Sequence, residues 1–384
     1  MNVSNFQKQR TWCELSEAAL KNNVYRISQF IPENIRKIAV VKADGYGHGA
    51  TWIAKIALKN GFTDLAVATL EEAINLREAS INVPILLLSP FQPGTAKYLI
   101  EFDITQTISS EYEAENLLTE IRAMKQPLPV KIHFKVDTGM NRIGFPILDL
   151  TTNDNINRIA KYAQNKIFIP NGIFTHFAAA DEPENEFTKL QLQRFQFVIE
   201  ELEKKNIKFE IKHSANSAAT IVFPTTHLDA VRIGIIMYGC SPNKEIKQRL
   251  ELEPVMSMFS RISSIHTTPK ETTVGYNCTY RCPANSRIAT IEAGYADGIK
   301  RHLSNKGYFL INGEKAPIVG NVCMDRLMLD ITNLENVQVG DEVLIFGKDK
   351  QGHVLDLDQQ AKLAGTISYE ILCGISKRVP KIYV

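Results

Sequence analysis

Ile38-Ala39-Val40-Val41-Lys42-Ala43-Asp44-Gly45-Tyr46-Gly47-His48-Gly49 carries a strand-length apolar run into a lysine and then a glycine-rich turn. The run is rich in Ile and Val, as a strand buried on both faces should be. Seven more runs of this texture follow: Leu65–Thr69, Ile85–Ser89, Ile104–Ile108, Val130–Val136, Gly172–Phe177, Phe209–His213 and Ala230–Ile235. Helical spacing lies between several of them. Ala114, Leu117, Leu118, Ile121 and Met124 share one helix face, and so do Phe195, Val198, Ile199 and Leu202. Strand alternating with helix eight times over about 230 residues fits an α/β fold of the (β/α)8 TIM-barrel type. A doubly wound open sheet has the same periodicity and is the structural alternative.

Beyond Cys240 the texture changes. Met258–Ile265, Arg287–Ile291, Tyr308–Ile311, Ala316–Val319, Leu327–Ile331 and Glu342–Phe346 read as strands, separated by turns such as Asn312-Gly313. Only Leu357–Leu363 and Tyr369–Gly374 read as helix there. The expectation is a barrel over 11–243 followed by a separate β-rich C-terminal domain over 244–384, with residues 1–10 as candidates to join the latter.

Composition narrows the function. The 384 residues are 44% hydrophobic and 22% charged, with a net charge of +2, which gives no footprint for nucleic acid or a membrane surface. The longest apolar runs are strand-sized, and Met1–Arg10 has no signal-peptide apolar core. The six cysteines contain no Cys-x-x-Cys, so free thiols in a reducing cytoplasm are expected rather than a disulfide frame, and no metal site is expected.

Lys42 closes the first run. At the mouth of a barrel, a strand-end residue is catalytic by position, and a lysine among apolar strands loses part of its charge and can form a Schiff base. The plainer reading is a lysine snorkelling from a strand end, with the glycines serving the turn. The seventh and eighth runs lead into His213-Ser214-Ala215-Asn216-Ser217 and Arg232-Ile233-Gly234-Ile235. Loops at these places in barrels often hold phosphate, and a hydroxyl beside a glycine suits its oxygens; an ordinary helix cap at Asn216 or Ser217 explains the first equally well. Lys135, Asp137 and Arg142 cluster at the fifth run and His176 ends the sixth. Gly275-Tyr276-Asn277, Gly294-Tyr295 and Cys323-Met324-Asp325 lie in the β-rich part, where tyrosine beside glycine is usually a packing or turn residue.

Together these segments resemble the alanine racemases. Val41–Gly49 resembles their pyridoxal-phosphate lysine signature. The likeness continues in order through Lys135–Gly144, Thr175–Asp181, His213–Ser217, Val231–Gly239, Val274–Tyr280, Gly294–Gly298, Val322–Asp325 and Thr366–Glu370, over nearly the whole chain. The resemblance implies pyridoxal 5′-phosphate as cofactor, alanine as substrate, and a head-to-tail homodimer with shared active sites. By position, Lys42 matches the aldimine lysine and one catalytic base, and Tyr276 the opposing base, supplied by the partner. Tyr46, Ser217, Gly234, Ile235 and Tyr369 match phosphate-holding positions, and Asn216 another cofactor-site position. Arg232 matches the partner of the pyridine nitrogen, and His176 the residue between that arginine and the tyrosine. Arg142 and Met324 match substrate contacts. Lys135 matches a lysine that members often carry as a carbamate, Asp325 a neighbour of the tyrosine, and Tyr295 and Arg301 the gate of the pocket. Asn141, Asn277 and Asn321 depart from the family pattern, which has glycine at the first two positions and arginine at the third. The implied activity is two-base racemisation supplying D-alanine for peptidoglycan. A broader-specificity racemase is the nearest alternative and an amino-acid decarboxylase of the same barrel lineage a further one. A non-catalytic cofactor-binding protein of that lineage is expected to lack the domain that carries Tyr276.

Overall fold

The computed structural model describes residues 8–151 and 154–384. Residues 1–7, part of the segment expected to join the second domain, lie outside the described residues. The chain opens on strand β1 (Thr11–Leu15). The barrel strands follow: β2 (Arg36–Val40), β3 (Asp64–Val67), β4 (Ile85–Leu87), β5 (Thr105–Ile108), β6 (Val130–Asp137), β7 (Phe168–Phe174), β8 (Ile211–His213) and β9 (Ala230–Ile233). Each pairs in parallel with its sequence neighbours, and β9 pairs with β2, so the sheet closes. Closure excludes the open-sheet alternative. Helices fill the outside. Glu111–Arg122 starts at the Ser110 side-chain cap and buries Ala114, Leu117, Leu118 and Ile121, the expected stripe. Met124 lies just beyond that helix and packs partly buried on the core.

The strand ends differ from their expected places. Strand β2 stops at Val40 and β7 at Phe174, so Lys42 opens the helical turn Lys42–Tyr46 and His176 sits on the loop beyond, neither in a strand. Apolar pattern marks which residues are buried, whereas a strand stops where ladder hydrogen bonds stop.

The second domain is a nine-stranded sheet built around the long strand β10 (Met256–Thr267). Tyr308–Ile311 and Glu314–Val319 pair as a hairpin across Asn312 and Gly313, both at positive φ, as the sequence predicts. Strand β1 was expected to belong to the barrel. It pairs antiparallel with Met256–Ser260 of β10, in the second domain's sheet. Its sequence, Thr-Trp-Cys-Glu-Leu, suits either sheet; the partner decides. Trp12 stacks on Phe259 with ring centroids 5.4 Å apart, which anchors that pairing. The helix Ser368–Cys373 returns from the second domain to the barrel mouth, where Tyr369 meets Tyr46 with centroids 6.0 Å apart. Among the described residues no helix is long and apolar enough to cross a membrane.

Candidate active site

Past β2 the backbone does something unusual. Ala43, Asp44, Gly45 and Tyr46 all lie near φ 52–60°, a turn of left-handed helix. Non-glycine residues pay roughly 1–2 kcal/mol each in that conformation, so neighbours must hold it. Glu72 Oε1 accepts from Ala43 N at 2.6 Å, and Asp44 Oδ1 from Ala50 N at 3.0 Å. The buried His48 Nδ1 meets the carbonyls of Gly45 and Tyr46 at 3.1 and 2.9 Å. The turn carries Tyr46 inward, where it is 6% exposed against Tyr238 and Tyr369.

Lys42, Tyr46, Lys135, Arg142, His176, Asn216, Ser217, Arg232, Gly234, Ile235 and Tyr369 all line one cavity of about 1460 Å3 at the barrel mouth. Its electrostatics are cationic. Burial first, then Arg142, lowers the affinity of Lys42 for its proton, with Glu72 opposing. Burial, then Arg232 and Arg142, pushes Lys135 down to about 7. The Lys135 ammonium lies over the Phe174 ring at 4.6 Å. Burial and the same cations hold His176 well below its ordinary value, so it is neutral. Asp137 at the end of β6 shapes the Arg142 loop, accepting from the backbone nitrogens of Gly139, Asn141 and Arg142 at 2.9, 3.1 and 2.9 Å.

Two features fit a phosphorylated pyridine. Ser217 Oγ accepts from Gly234 N at 2.8 Å, and a side-chain carbon on Gly234 would lie 2.7 Å from Tyr46 Oη. A hydroxyl, a phenol and bare backbone thus converge without a side chain between them, a cradle for an oxyanion. Opposite stands Arg232, buried and without a carboxylate. Its terminal nitrogens donate to the Thr175 and Ser214 carbonyls at 2.9 and 3.0 Å, and meet His176 Nδ1 at 3.1 Å and His213 Nδ1 at 2.8 Å. Among the described residues its Nε makes no hydrogen bond, which leaves that N–H for a ring nitrogen.

Tyr276, Tyr295, Arg301, Met324 and Asp325 are elsewhere. None lines this cavity; they sit on the second domain, with Tyr276 70%, Tyr295 44% and Met324 54% exposed. Arg301 opens the short turn Arg301–Leu303, and Asp325 pairs with Arg378 at 2.8 Å. Tyr276 rides on the hairpin of Thr272–Val274 and Tyr280–Cys282, which the sequence reading did not contain. Two of the three departures have a conformational account. Asn141 and Asn277 adopt φ 54° and 61°, the left-handed region where glycine is easiest and asparagine the best-tolerated substitute. Asn321 donates from Nδ2 to the Tyr276 carbonyl at 2.8 Å, taking up support of the tyrosine's backbone.

Sequence reasoning missed Glu72, His133 and His213. The Thr69-x-x-Glu72 spacing is a capping-box signal, and the box is present; that the same carboxylate reaches the lysine turn has no local signature. His133 and His213 are 80 positions apart and meet only because β6 and β8 both flank β7.

Residues 15–242 match the family model described as alanine racemase, N-terminal domain, and residues 255–383 the one described as alanine racemase, C-terminal domain. The chain is 40% identical to an alanine racemase of Desulforamulus reducens over 98% of this chain and 100% of that one. It is 43% identical to an alanine racemase of Clostridium tetani, covering 97% and 95%. The crystal structure of alanine racemase from Bacillus anthracis with bound L-Ala-P superposes with a TM-score of 0.89 at 36% identity, over 98% of this chain and 95% of that one. With both family models and near-full-length relatives in agreement with the fold, the chain belongs to the alanine racemase family.

Proposed function

We propose that the protein interconverts L- and D-alanine with pyridoxal 5′-phosphate, as a homodimer whose active sites take residues from both chains. The observation that carries the reading is the cavity itself: a lysine of lowered proton affinity between an oxyanion cradle and a carboxylate-free arginine. Lys42 would hold the cofactor through its carbonyl carbon; Tyr46, Ser217, Gly234, Ile235 and Tyr369 would hold its phosphate, with Asn216 beside them. Arg232 faces the ring nitrogen. When bound, the cofactor supplies an electron sink that acidifies the substrate's α-proton.

Racemisation needs a proton removed from one face of Cα and returned on the other. Lys42 moves the proton on one face, and Tyr276 of a second copy on the other. Exposure of Tyr276, Tyr295 and Met324 on the second domain supports this sharing, because the barrel cavity of one chain holds only one of the two bases. Arg142 orients the substrate carboxylate, and Met324, Tyr295 and Arg301 limit the space for the side chain, which favours a methyl group. Arg232 has no proton to give up to a ring nitrogen, so beside it that nitrogen would stay unprotonated and the sink would be weaker than beside a carboxylic acid. A neutral Lys135 amine is the form that adds carbon dioxide, and a carbamate there would steady Arg142. Asp325, paired with Arg378, is by the family resemblance a neighbour of Tyr276. The domain division falls near 243–244, with β1 counted in the second domain. The free cysteines accord with a cytoplasmic enzyme that supplies D-alanine for peptidoglycan.

The test is a chiral assay of the purified protein with L-alanine, L-serine, L-lysine and L-arginine. D-alanine should form, with alanine strongly preferred over the two long side chains. Carbon dioxide release without D-alanine refutes the racemase reading. Equal turnover of lysine refutes the small pocket. Mixing Lys42→Ala chains with Tyr276→Phe chains should restore activity, since one of the two sites in each mixed dimer is intact. Demonstrated heterodimers without activity refute the shared site.

A further inference from the structure

The side of Arg232 turned away from the mouth leads into a chain of histidines through the barrel core. Arg232 Nη1 meets His213 Nδ1 at 2.8 Å, and His213 Nε2 meets His133 Nδ1 at 3.0 Å. Both rings are fully or almost fully buried. His133 lines a separate cavity of about 180 Å3, with Arg36, Asp64 and Asn171, near the starts of β2, β3 and β7. The chain therefore runs from the candidate active site towards the opposite end of the barrel.

Hydrogen-bond polarity along it follows from one fact: a guanidinium only donates. His213 Nδ1 must therefore accept, so a neutral His213 carries its proton on Nε2. That proton is given to His133 Nδ1, so a neutral His133 carries its own on Nε2, beside the small cavity. His176 Nδ1 lies 3.1 Å from Arg232 Nη2, whose two hydrogens also serve the Thr175 and Ser214 carbonyls, so it shares one of them as an acceptor. Neutrality has clear causes. Burial dominates at both core histidines; Arg232, His133 and Lys135 face His213, and Arg36 and Arg232 face His133. Phe174 braces the arrangement, stacking on His213 at 4.7 Å and lying under Arg232 at 5.3 Å. Gly172 makes room for His133, since a side-chain carbon there would come within 2.4 Å of the ring.

We propose that His213 and His133 are positioning residues whose fixed tautomers aim Arg232 and leave its charge uncancelled towards the ring nitrogen of the cofactor. The inference rests on the cofactor reading above. A carboxylate at His213 would orient the guanidinium equally well but offset its charge. Neutral imidazoles orient it without doing so.

The first measurement is solid-state 15N NMR of histidine-labelled holoenzyme at pH 7, with signals assigned by His133→Asn and His213→Asn. Both histidines should be neutral and protonated on Nε2. A doubly protonated ring, or a proton on Nδ1 of either, overturns the proposal whatever the activity. The second is kinetic. His213→Asn places an amide oxygen near the Nδ1 position, whereas His213→Leu places no acceptor there. The leucine variant should lose about tenfold or more in kcat at nearly unchanged KM, the order expected when a buried guanidinium donor loses its acceptor. The asparagine variant should recover most of that loss. Equal kcat in both variants overturns the orienting role. Gly172→Ala, which displaces the His133 ring and leaves every histidine in the sequence, should lower kcat in the same direction; unchanged kcat with a displaced ring overturns the role of His133. Absence of alanine racemisation in the unaltered protein would instead defeat the functional reading, and would leave the tautomer result standing.

Discussion

Replacing Gly234 with alanine adds one carbon, and the structure says where it lands. It would lie 2.7 Å from Tyr46 Oη, 3.4 Å from Tyr46 Cζ and 3.7 Å from the Val40 Cβ. Only the first contact is impossible, and the tyrosine has nowhere to go. Its ring is buried between Tyr238 and Tyr369, at 4.7 and 6.0 Å, and its backbone sits in the left-handed turn. Gly234 itself has φ −122° and ψ −104°, outside the ordinary regions for a residue with a side chain. Overpacking of this kind costs about 1–3 kcal/mol, and part of it falls on the oxyanion cradle. The dissociation constant for pyridoxal 5′-phosphate should therefore rise roughly ten- to hundredfold, read by absorbance titration of the apoprotein. Tyr46→Phe deletes the clashing oxygen together with one cradle hydroxyl, so it too should weaken binding. The double variant should lose less than the sum of the two single losses, because the added methyl then meets ring carbon at an ordinary distance and only the backbone cost at Gly234 remains. Full additivity of the two losses would falsify the steric account, and so would a Gly234→Ala protein that binds the cofactor as tightly as the parent.

The purified protein should be yellow, and borohydride should fix the cofactor on Lys42; peptide mapping of the adduct to another lysine would overturn that assignment. Burial and neighbouring cations pull Lys135 from its ordinary 10.5 to about 7 in the fold, so between those values the unfolded chain holds the extra proton and folding stability at this site rises with pH. In carbon dioxide-free buffer the Tm advantage of Lys135→Met over the parent should be greatest below pH 7 and shrink towards pH 10; a pH-independent gap contradicts it. Asn277, at φ 61° and ψ 12°, should tolerate glycine with little change in kcat, whereas Asn277→Val should cost roughly 1–2 kcal/mol in thermal denaturation; a valine variant as stable as the parent refutes the left-handed requirement.

The sequence by itself determined the eight buried strands and the polar residues that follow them, while the pairing of β9 with β2 decided that the sheet closes into a barrel. Buried parallel strands must be apolar along their length, so the eight runs announce themselves, and the polar residues just past their ends have nowhere to sit but the mouth. Lys42, Ser217, Arg232 and Gly234 were legible for that reason, as was the Asn312-Gly313 hairpin, whose positive φ angles demand those residue types. Where the strands end was less legible, since burial extends beyond the last ladder hydrogen bond at Lys42 and His176. Tertiary structure alone decided the rest. Strand β1 is too short and too ordinary to name its partner, which lies more than 240 positions away. The left-handed turn after Lys42 exists because Glu72, Asp44 and His48 hold it, and no local propensity favours it at Ala43 or Tyr46. The tautomers of His133 and His213 are set by a guanidinium that meets His213, which in turn meets His133, only once their strands have come together. Periodicity is written residue by residue along the chain; the polarity of a buried hydrogen-bond chain belongs to groups that become neighbours only through folding.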